Sequence, residues 1–229
     1  IKKRQGISLD FHNLDINDKE TYKNLSDGNN LGVFQFESTM FKGLLKDLKP
    51  KTLEDIATIT ALGRPSALQS GLTEQYKKIR HGEEQPVYLI PELEEVLGDT
   101  YGIYVFQESM MLTMKVYAGF TNSEADVARK ICGKKLKDKI PELKKMFMDG
   151  AKRLNRDLTQ AEEEFEKIQQ FASYGFSKIH ALLYGYMSFA TAYYKTHYPH
   201  EYMTSLLNSV TDDLDKLNLY VSECYRLGI

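Results

Sequence analysis

Residues 121–154 read TNSEADVARKICGKKLKDKIPELKKMFMDGAKRL, and they show most clearly how this chain folds. Thr121 and Glu124 stand three positions apart, which is the spacing of a capping box at the start of a helix. The pattern predicts a helix over Glu124–Ile131. It also predicts that Gly133 ends this helix, because glycine readily adopts the left-handed conformation that closes helices.

Helical patterns dominate the rest of the chain as well. Apolar residues recur three and four positions apart in most segments, as on the buried face of an amphipathic helix. Strand patterns are confined to two short apolar runs, Gly32–Phe36 and Tyr101–Phe106. The sequence therefore predicts a mainly α protein with a few short strands. Further helices are predicted over residues 52–62 and 137–154, after a cap at Thr159 and Glu162, from Ser177 to about His197, and from Leu214 to Gly228.

A chain of 229 residues is long enough for one large domain or two small ones. We expect a single domain over residues 1–229. Two lobes, about 1–120 and 121–229, are the alternative division. Because the chain begins at Ile1 rather than at methionine, we also expect it to be part of a longer protein.

Charge is distributed unevenly along the chain. Thirty lysine and arginine residues and 32 acidic residues give a net charge of −2. Residues 115–156, however, hold twelve basic and five acidic residues, a local charge of +7, between two acidic segments. Such a basic region is typical of a site for a polyphosphate or a nucleic acid. A solvated helical surface has the same composition, so charge alone leaves both interpretations open.

Composition also excludes several classes of protein. A hydrophobic fraction of 42% suits a globular protein with a buried core. No apolar run in the sequence is long enough to span a membrane, and there is no secretory signal. Cys132 and Cys224 are far apart and form no CxxC pair, which argues against a disulfide framework or a zinc site. We therefore expect a cytoplasmic protein that does not associate with a membrane.

Four cations occur within the seven residues RKICGKK at positions 129–135. Arg129 and Lys130 lie near the predicted end of a helix, where the helix dipole favours a cation without any ligand. Lys134 and Lys135 lie beyond that end and gain less from the dipole. A triphosphate carries enough negative charge to neutralise all four, and arginine can bind two of its oxygens at once. These residues alone do not decide between two interpretations, a phosphate-binding site and stabilisation of a helix end.

A second cluster, YGFSKIH at positions 174–180, places Lys178 and His180 at the start of a predicted helix. Backbone N–H groups at a helix start attract anions, and Lys178 adds a full positive charge. His180 by itself is more typical of a capping or core histidine than of a catalytic residue. The aromatic side chains that follow are more typical of a core than of a platform for stacked bases.

Eight segments together, in chain order, resemble the fingers region of bacterial C-family replicative DNA polymerases, the DNA polymerase III alpha subunits. The similarity runs from about Leu9 to Ile229 and therefore covers almost the whole chain. The segments are GVFQFES (32–38), ALGRPSALQSG (61–71), KKIRHG (77–82), TYGIYVFQES (100–109), EADVARKICGKK (124–135), FASYGFSKIHA (171–181), YYKTHYPHEYM (193–203) and SECYRLG (222–228).

The resemblance implies a role for the basic residues. In that family the fingers bind the triphosphate of the incoming deoxynucleoside triphosphate and lie near the template–primer DNA. Carried over by motif position, the triphosphate-binding residues are Arg129, Lys130, Lys134, Lys135, Arg64, Lys178 and His180. The residues expected near DNA lie in KKIRHG, and they are Lys77, Lys78, Arg80 and His81.

The resemblance also implies what this segment does not contain. The family's catalytic aspartates lie upstream on the palm, where they hold Mg²⁺, so we expect no catalytic residue, no metal ligand and no polymerase activity in this segment alone. Asp10, Asp15 and Asp18 are expected in turns and helix caps instead. Through the full-length protein we expect contacts with a sliding clamp and a clamp loader.

Three departures from the family pattern indicate a divergent member. The family's RPGP is RPSA at 64–67, the second of its paired arginines is Lys130, and its Asn-Lys-Ser-His is SKIH at 177–180. One alternative is a non-catalytic nucleic-acid-binding or interaction module derived from a polymerase. A second is a self-contained phosphate-binding enzyme, which the lack of clustered acidic residues in the sequence disfavours.

Overall fold

A computed structural model describes residues 1–134, 136–171 and 175–229 of the chain. The prediction of a mainly α protein is confirmed. Within the described ranges, β structure amounts to one isolated bridge between Phe106 and Phe176. The helices are α1 (Lys2–Gln5), α2 (Lys19–Ser26), α3 (Thr39–Leu48), α4 (Leu53–Leu62), α5 (Pro65–Gln69), α6 (Leu72–Arg80), α7 (Glu92–Leu97), α8 (Gln107–Ala118), α9 (Asn122–Gly133), α10 (Ile140–Arg153), α11 (Leu158–Phe171), α12 (Lys178–His197), α13 (Pro199–Asn208) and α14 (Leu214–Leu227).

The capping box predicted at the start of α9 is present, with both reciprocal bonds between Thr121 and Glu124. The predicted end of α9 is wrong in detail. Gly133 is the last helical residue, and Lys134 follows as the C-cap with a negative φ of −88°. The helix therefore ends without the left-handed glycine that the sequence suggested. At the C-terminus of α14, in contrast, Gly228 has a φ of +75° and closes the helix as predicted.

Two other local predictions are corrected by the structure. The first run predicted as a strand, Gly32–Phe36, forms consecutive turns, and the second, Tyr101–Phe106, contributes only the bridge at its last residue. The cap of α11 is Asp157, whose Oδ1 accepts the backbone N–H of Gln160 at 2.8 Å, rather than Thr159. In both cases a neighbouring polar group satisfies the backbone in a way that residue propensity alone did not reveal.

The three N-terminal aspartates have the turn and capping roles expected of them. Asp10 accepts the backbone N–H of His12 at 2.9 Å, and Asp15 accepts that of Asn17 at 3.0 Å. Asp18 caps α2, and its Oδ2 also lies 2.8 Å from Nε2 of His197. None of the helices in the described part of the chain is long and apolar enough to cross a membrane.

The chain divides into two compact units. The first unit contains residues Ile1–Gly63 and Leu182–Ile229, and the second contains Arg64–Ala181. The lobe boundary expected near residue 120 falls inside the second unit. There Gly119, with a φ of +70°, reverses the chain so that α8 and α9 pack against each other. The expectation of a single functional domain stays a prediction.

In the first unit, α2 packs on α3, α3 on α4, and α13 on α14. A Cβ atom added to Gly185 of α12 would lie 3.3 Å from the backbone nitrogen of Ala57 in α4, so the absence of a side chain permits this close approach. The fully buried side chains at the centre of this unit are aromatic and aliphatic, and they include Leu25, Phe36, Leu45, Ile56, Ile59, Leu62 and Phe189.

In the second unit, the core lies between α7, α8, α9, α10 and α11. Tyr117 and Phe147 stack with ring centroids 5.6 Å apart, and the buried Tyr104 hydroxyl donates to Glu164. A Cβ atom at Gly150 of α10 would lie 2.0 Å from the carbonyl oxygen of Ala118, so only glycine allows this packing of α10 on α8. This core fixes the start of α8 and the exposed side of α9, where the candidate site lies.

Candidate functional site

Every described candidate residue of the predicted site lies in the second unit, between Arg64 and Ala181. Several of them converge on three consecutive residues at the start of α8: Phe106, Gln107 and Glu108. The predicted clusters 129–135 and 174–180 are thus connected through one helix start.

Arg129 projects from α9 towards this helix start. Its Nε and Nη2 donate to Oδ1 of Asp126 at 3.1 and 2.8 Å, one turn earlier on the same helix. Its Nη1 lies 3.5 Å from Oε1 of Gln107, at the outer limit for a hydrogen bond. The guanidinium group is therefore oriented by Asp126 on one edge and faces α8 with the other.

Lys130 shares the carboxylate of Asp126, with its Nζ 2.7 Å from Oδ2. The hydrogen bond from Lys130, followed by that from Arg129, lowers the pKa of Asp126 below its ordinary value. Lys134 follows the last residue of α9 and is exposed. Lys135, which completes the predicted phosphate cluster, lies outside the described residues.

The segment 175–178 is held on the start of α8 by hydrogen bonds to backbone and side chain. Gln107 donates its backbone N–H to the carbonyl of Phe176 at 2.9 Å and its Nε2 to the carbonyl of Gly175 at 2.8 Å. Glu108 accepts the hydroxyl of Ser177 at 2.8 Å and the backbone N–H of Lys178 at 2.7 Å.

The start of α12 agrees with its prediction. The helix begins at Lys178, directly after Ser177, and the carboxylate of Glu108 accepts the N–H group of Lys178. A carboxylate thus already occupies part of the helix start that the sequence offered as an anion site. The charge of the Lys178 side chain, rather than the backbone at this helix end, is left to attract an anionic ligand.

Phe176 joins two further candidate residues. The guanidinium carbon of Arg64 lies 3.6 Å from the centroid of the Phe176 ring, a cation–π contact. The ring of His180 meets Phe176 edge to face at a centroid distance of 5.2 Å. Lys178 lies nearby, with its Nζ 5.8 Å from the ring centroid of Phe106 and 3.6 Å from Oδ2 of Asp99.

The candidate DNA contacts form a separate group on and after α6. Lys77 pairs with Glu74 at 3.0 Å, and Lys78 pairs with Glu84 at 3.1 Å. The hydrogen bond that Lys78 donates to Glu84 raises the pKa of Lys78 above its ordinary value. Arg80 contacts the hydroxyl of Tyr76 at 3.3 Å, and His81 is the C-cap of α6.

Sequence reasoning did not assign a role to Gln107, Glu108 or Phe176. Each stands inside one of the eight family-like segments, and this was the only available signal. Their importance comes from contacts with residues about 70 positions away, as between Glu108 and Lys178. Such contacts cannot be inferred from local patterns.

No three or more His, Cys, Asp or Glu side chains among the described residues are placed to hold a metal ion. The described residues therefore do not fit the Mg²⁺ that the resemblance implies for the full enzyme. Cys132 is buried, which raises the pKa of its thiol to about 11 and makes it an unreactive core residue.

Comparison with known proteins places the chain in a family. The family described as "Bacterial DNA polymerase III alpha subunit finger domain" matches residues 1–155, about two thirds of the chain. This chain belongs to that family. Its mainly helical architecture agrees with this assignment.

Curated relatives extend the similarity across the remaining residues. The chain is 40% identical over 229 residues to the DNA polymerase III subunit alpha of Helicobacter pylori, covering 100% of this chain and 19% of that protein. It is 43% identical over 219 residues to the same subunit of Aquifex aeolicus, covering 96% of this chain and 19% of that protein. The chain thus spans about a fifth of the length of the curated relatives it matches.

Proposed function

We propose that this chain is the fingers part of a DNA-directed DNA polymerase, and that it binds the triphosphate of the incoming deoxynucleoside triphosphate. The observation that carries this proposal is that four cations from three separate segments lie at or near the start of α8. Arg129 faces Gln107, and Lys130 follows it and shares Asp126. Lys178 lies near the Phe106 ring, and Arg64 lies over the ring of Phe176, whose carbonyl accepts the N–H of Gln107. A packed helical fold does not require such a concentration of positive charge, because like charges repel one another.

The chemistry of the cluster suits phosphate oxygens. Arg129 is oriented by Asp126 and Gln107, so its planar donors are arranged before a ligand arrives. Lys130 adds a mobile point charge one residue later. Preorganised cations of this kind stabilise the charge that develops on the leaving pyrophosphate during nucleotidyl transfer.

The other candidate residues have supporting roles in this proposal. Lys134 and Lys135 add charge beyond the end of α9, and Arg64 and His180 are fixed by the ring of Phe176. The cations of α6 contact the phosphate backbone of template–primer DNA in a sequence-independent and salt-sensitive way. They are Lys77, Lys78 and Arg80, with His81 beside them.

The chemical step belongs to other parts of the full-length protein. In this proposal carboxylates of the palm, outside this chain, would hold Mg²⁺, which would supply activation of the primer hydroxyl and charge stabilisation of the phosphates. The chain by itself positions the nucleotide and is inactive as a polymerase. Contacts with a sliding clamp and a clamp loader, and a location in the cytoplasm, follow from the same proposal for the full-length protein.

Single-nucleotide incorporation by the full-length polymerase tests the proposal. At saturating DNA, Arg129→Ala is expected to lower kcat/KM for the nucleotide about 30- to 1,000-fold, because a charge-assisted contact to the triphosphate is lost. Lys77→Ala is expected to change mainly the affinity for DNA and its salt dependence.

Lys144→Ala is a matched control. It removes a cation of the same unit, paired with Glu162 on the surface between α10 and α11, and should leave the kinetics unchanged. The proposal is wrong if Arg129→Ala retains the parental kcat/KM while Lys77→Ala loses it.

A further inference from the structure

One carboxylate holds two of the proposed phosphate ligands at once. Oδ1 of Asp126 accepts two hydrogen bonds from Arg129, and Oδ2 lies 2.7 Å from Nζ of Lys130. All three residues lie within about one turn of α9. The function proposed above uses both cations but assigns nothing to the anion between them.

We propose, on the basis of the function proposed above, that Asp126 is a positioning residue that exchanges with phosphate oxygens. While the site is empty, its carboxylate neutralises part of the charge of Arg129 and Lys130 and keeps both side chains in place. The triphosphate displaces the carboxylate from at least one cation. When pyrophosphate is formed, Asp126 returns to the cations and lowers the free energy needed for pyrophosphate to leave.

The exposure of the cluster makes this exchange feasible. The side chain of Asp126 is 37% exposed, and those of Arg129 and Lys130 are 32% and 56% exposed. Ion pairs open to water are weak, because solvent competes for both partners. A phosphate group, with more charge and more acceptor oxygens than a carboxylate, therefore replaces Asp126 at little cost.

The charge balance shows why a resident anion matters. Two cations and one carboxylate leave a local charge of about +1 before Lys134 is counted. Without Asp126 the same place would carry a charge of about +2, and it would hold every polyphosphate more tightly. Substrate and released pyrophosphate share their phosphate chemistry, so tighter binding of one implies slower release of the other.

A purely structural role for Asp126 would be the stabilisation of α9 through pairs three and four residues apart, which are common on helices. The two roles differ in what they change. A structural role affects the stability of the protein, whereas an exchange role changes the affinity for inorganic pyrophosphate without changing stability.

The test uses the full-length polymerase with Asp126→Asn and Asp126→Glu, and measures product inhibition by inorganic pyrophosphate in single-nucleotide incorporation. Asp126→Asn is expected to lower the inhibition constant for pyrophosphate about two- to fivefold at low salt, the effect of removing one exposed charge. The nucleotide KM should fall in parallel, kcat should not rise, and the difference should shrink as salt increases. Asp126→Glu should retain the parental inhibition constant.

Glu162→Gln is the matched control, because it removes an exposed, lysine-paired carboxylate of the same unit, whose partner is Lys144. It should leave pyrophosphate inhibition unchanged. The inference is overturned if pyrophosphate inhibits Asp126→Asn no more strongly than it inhibits the parent. It is also overturned if Asp126→Glu shows the same lowered inhibition constant as Asp126→Asn. If Arg129→Ala also binds nucleotide and pyrophosphate as the parent does, the proposed function itself has failed.

Discussion

Among the described residues, two ionic triplets each join one carboxylate to a lysine and an arginine, in opposite surroundings. In the second unit, Asp126 holds Arg129 and Lys130, and all three side chains are about a third or more exposed. In the first unit, a glutamate holds a lysine and an arginine at distances of 2.5 and 2.7 Å. These residues are Glu223, Lys195 and Arg226. The glutamate and the lysine are only 6% and 5% exposed.

The difference between the triplets teaches that burial, not composition, decides what an ion cluster does. Lys195 also donates to the carbonyls of Leu31 and Asn29, at 2.6 and 3.3 Å, and so ties α12 to the loop before GVFQFES. Burial opposes ionisation of Glu223, but hydrogen bonds from Arg226 and Lys195 outweigh it and lower the pKa of the carboxyl group. The buried Glu223–Lys195 pair is fixed because little solvent can replace its partners, whereas the exposed triplet is free to exchange.

The largest expected effect comes from breaking the buried triplet. Glu223→Gln removes the countercharge of Lys195 and should lower the free energy of unfolding by about 3 kcal/mol, the lower end of the range for buried pairs, because half-exposed Arg226 admits water. Chemical denaturation measures this change. Asp126→Asn, the matched substitution in the exposed triplet, should give no measurable change in the same experiment. Equal losses in the two variants would contradict the distinction.

The acid limb of the stability profile provides a second comparison. Because the pKa of Glu223 is lower in the folded state than its ordinary value of 4.5, its stabilising contribution is fully present above about pH 4.5. That contribution is lost as the pH falls through the lowered pKa. Unfolding at a series of pH values should therefore show a shallower acid decline for Glu223→Gln than for the parent. High salt screens exposed ion pairs, so in high salt the stability of Asp126→Asn should depend on pH as that of the parent does.

The smallest expected effect concerns Gln35, in the loop that the buried triplet helps to hold. Its φ of +65° is unfavourable for any residue with a side chain. Gln35→Gly should raise the free energy of unfolding by about 0.5–1 kcal/mol, because relief of the strain exceeds the entropy cost of glycine. Denaturation of the single variant and of the double variant with Glu223→Gln measures this gain. If the buried triplet imposes the strain, the gain is smaller in the double variant.

Local features were predictable from the sequence wherever their partners lie within a few positions. The capping box of Thr121 and Glu124 and the start and end of α12 follow from such spacings, and Asp18 has one of the turn or capping roles expected of it. The basic character of residues 129–135 was also evident. What this stretch binds stays a proposal, because an exposed helix end and a phosphate site use the same residues.

Long-range partners were not predictable. Lys195 stands in the stretch YYKTHYP, whose polar residues suggest an exposed surface. Nothing in the sequence shows that Lys195 is buried and paired with Glu223. Glu108 lies in a family-like segment, but no local pattern shows that it accepts the first N–H group of α12 from 70 residues away. A residue's burial depends on every segment that packs around it, and single-sequence periodicity does not contain that information.

The sequence by itself determined the family, the helical class and the starts of a few helices, among them α4, α12 and α14. These depend on residue order and on interactions over three or four positions, both of which can be read directly. Only the tertiary structure decided that Arg129 and Lys178 lie at the start of α8 with Arg64 on the nearby Phe176 ring, and that Lys195 is buried while Arg129 is partly exposed. Packing brings distant residues together and excludes water from some charges but not others, and this exclusion sets the strength of each ion pair.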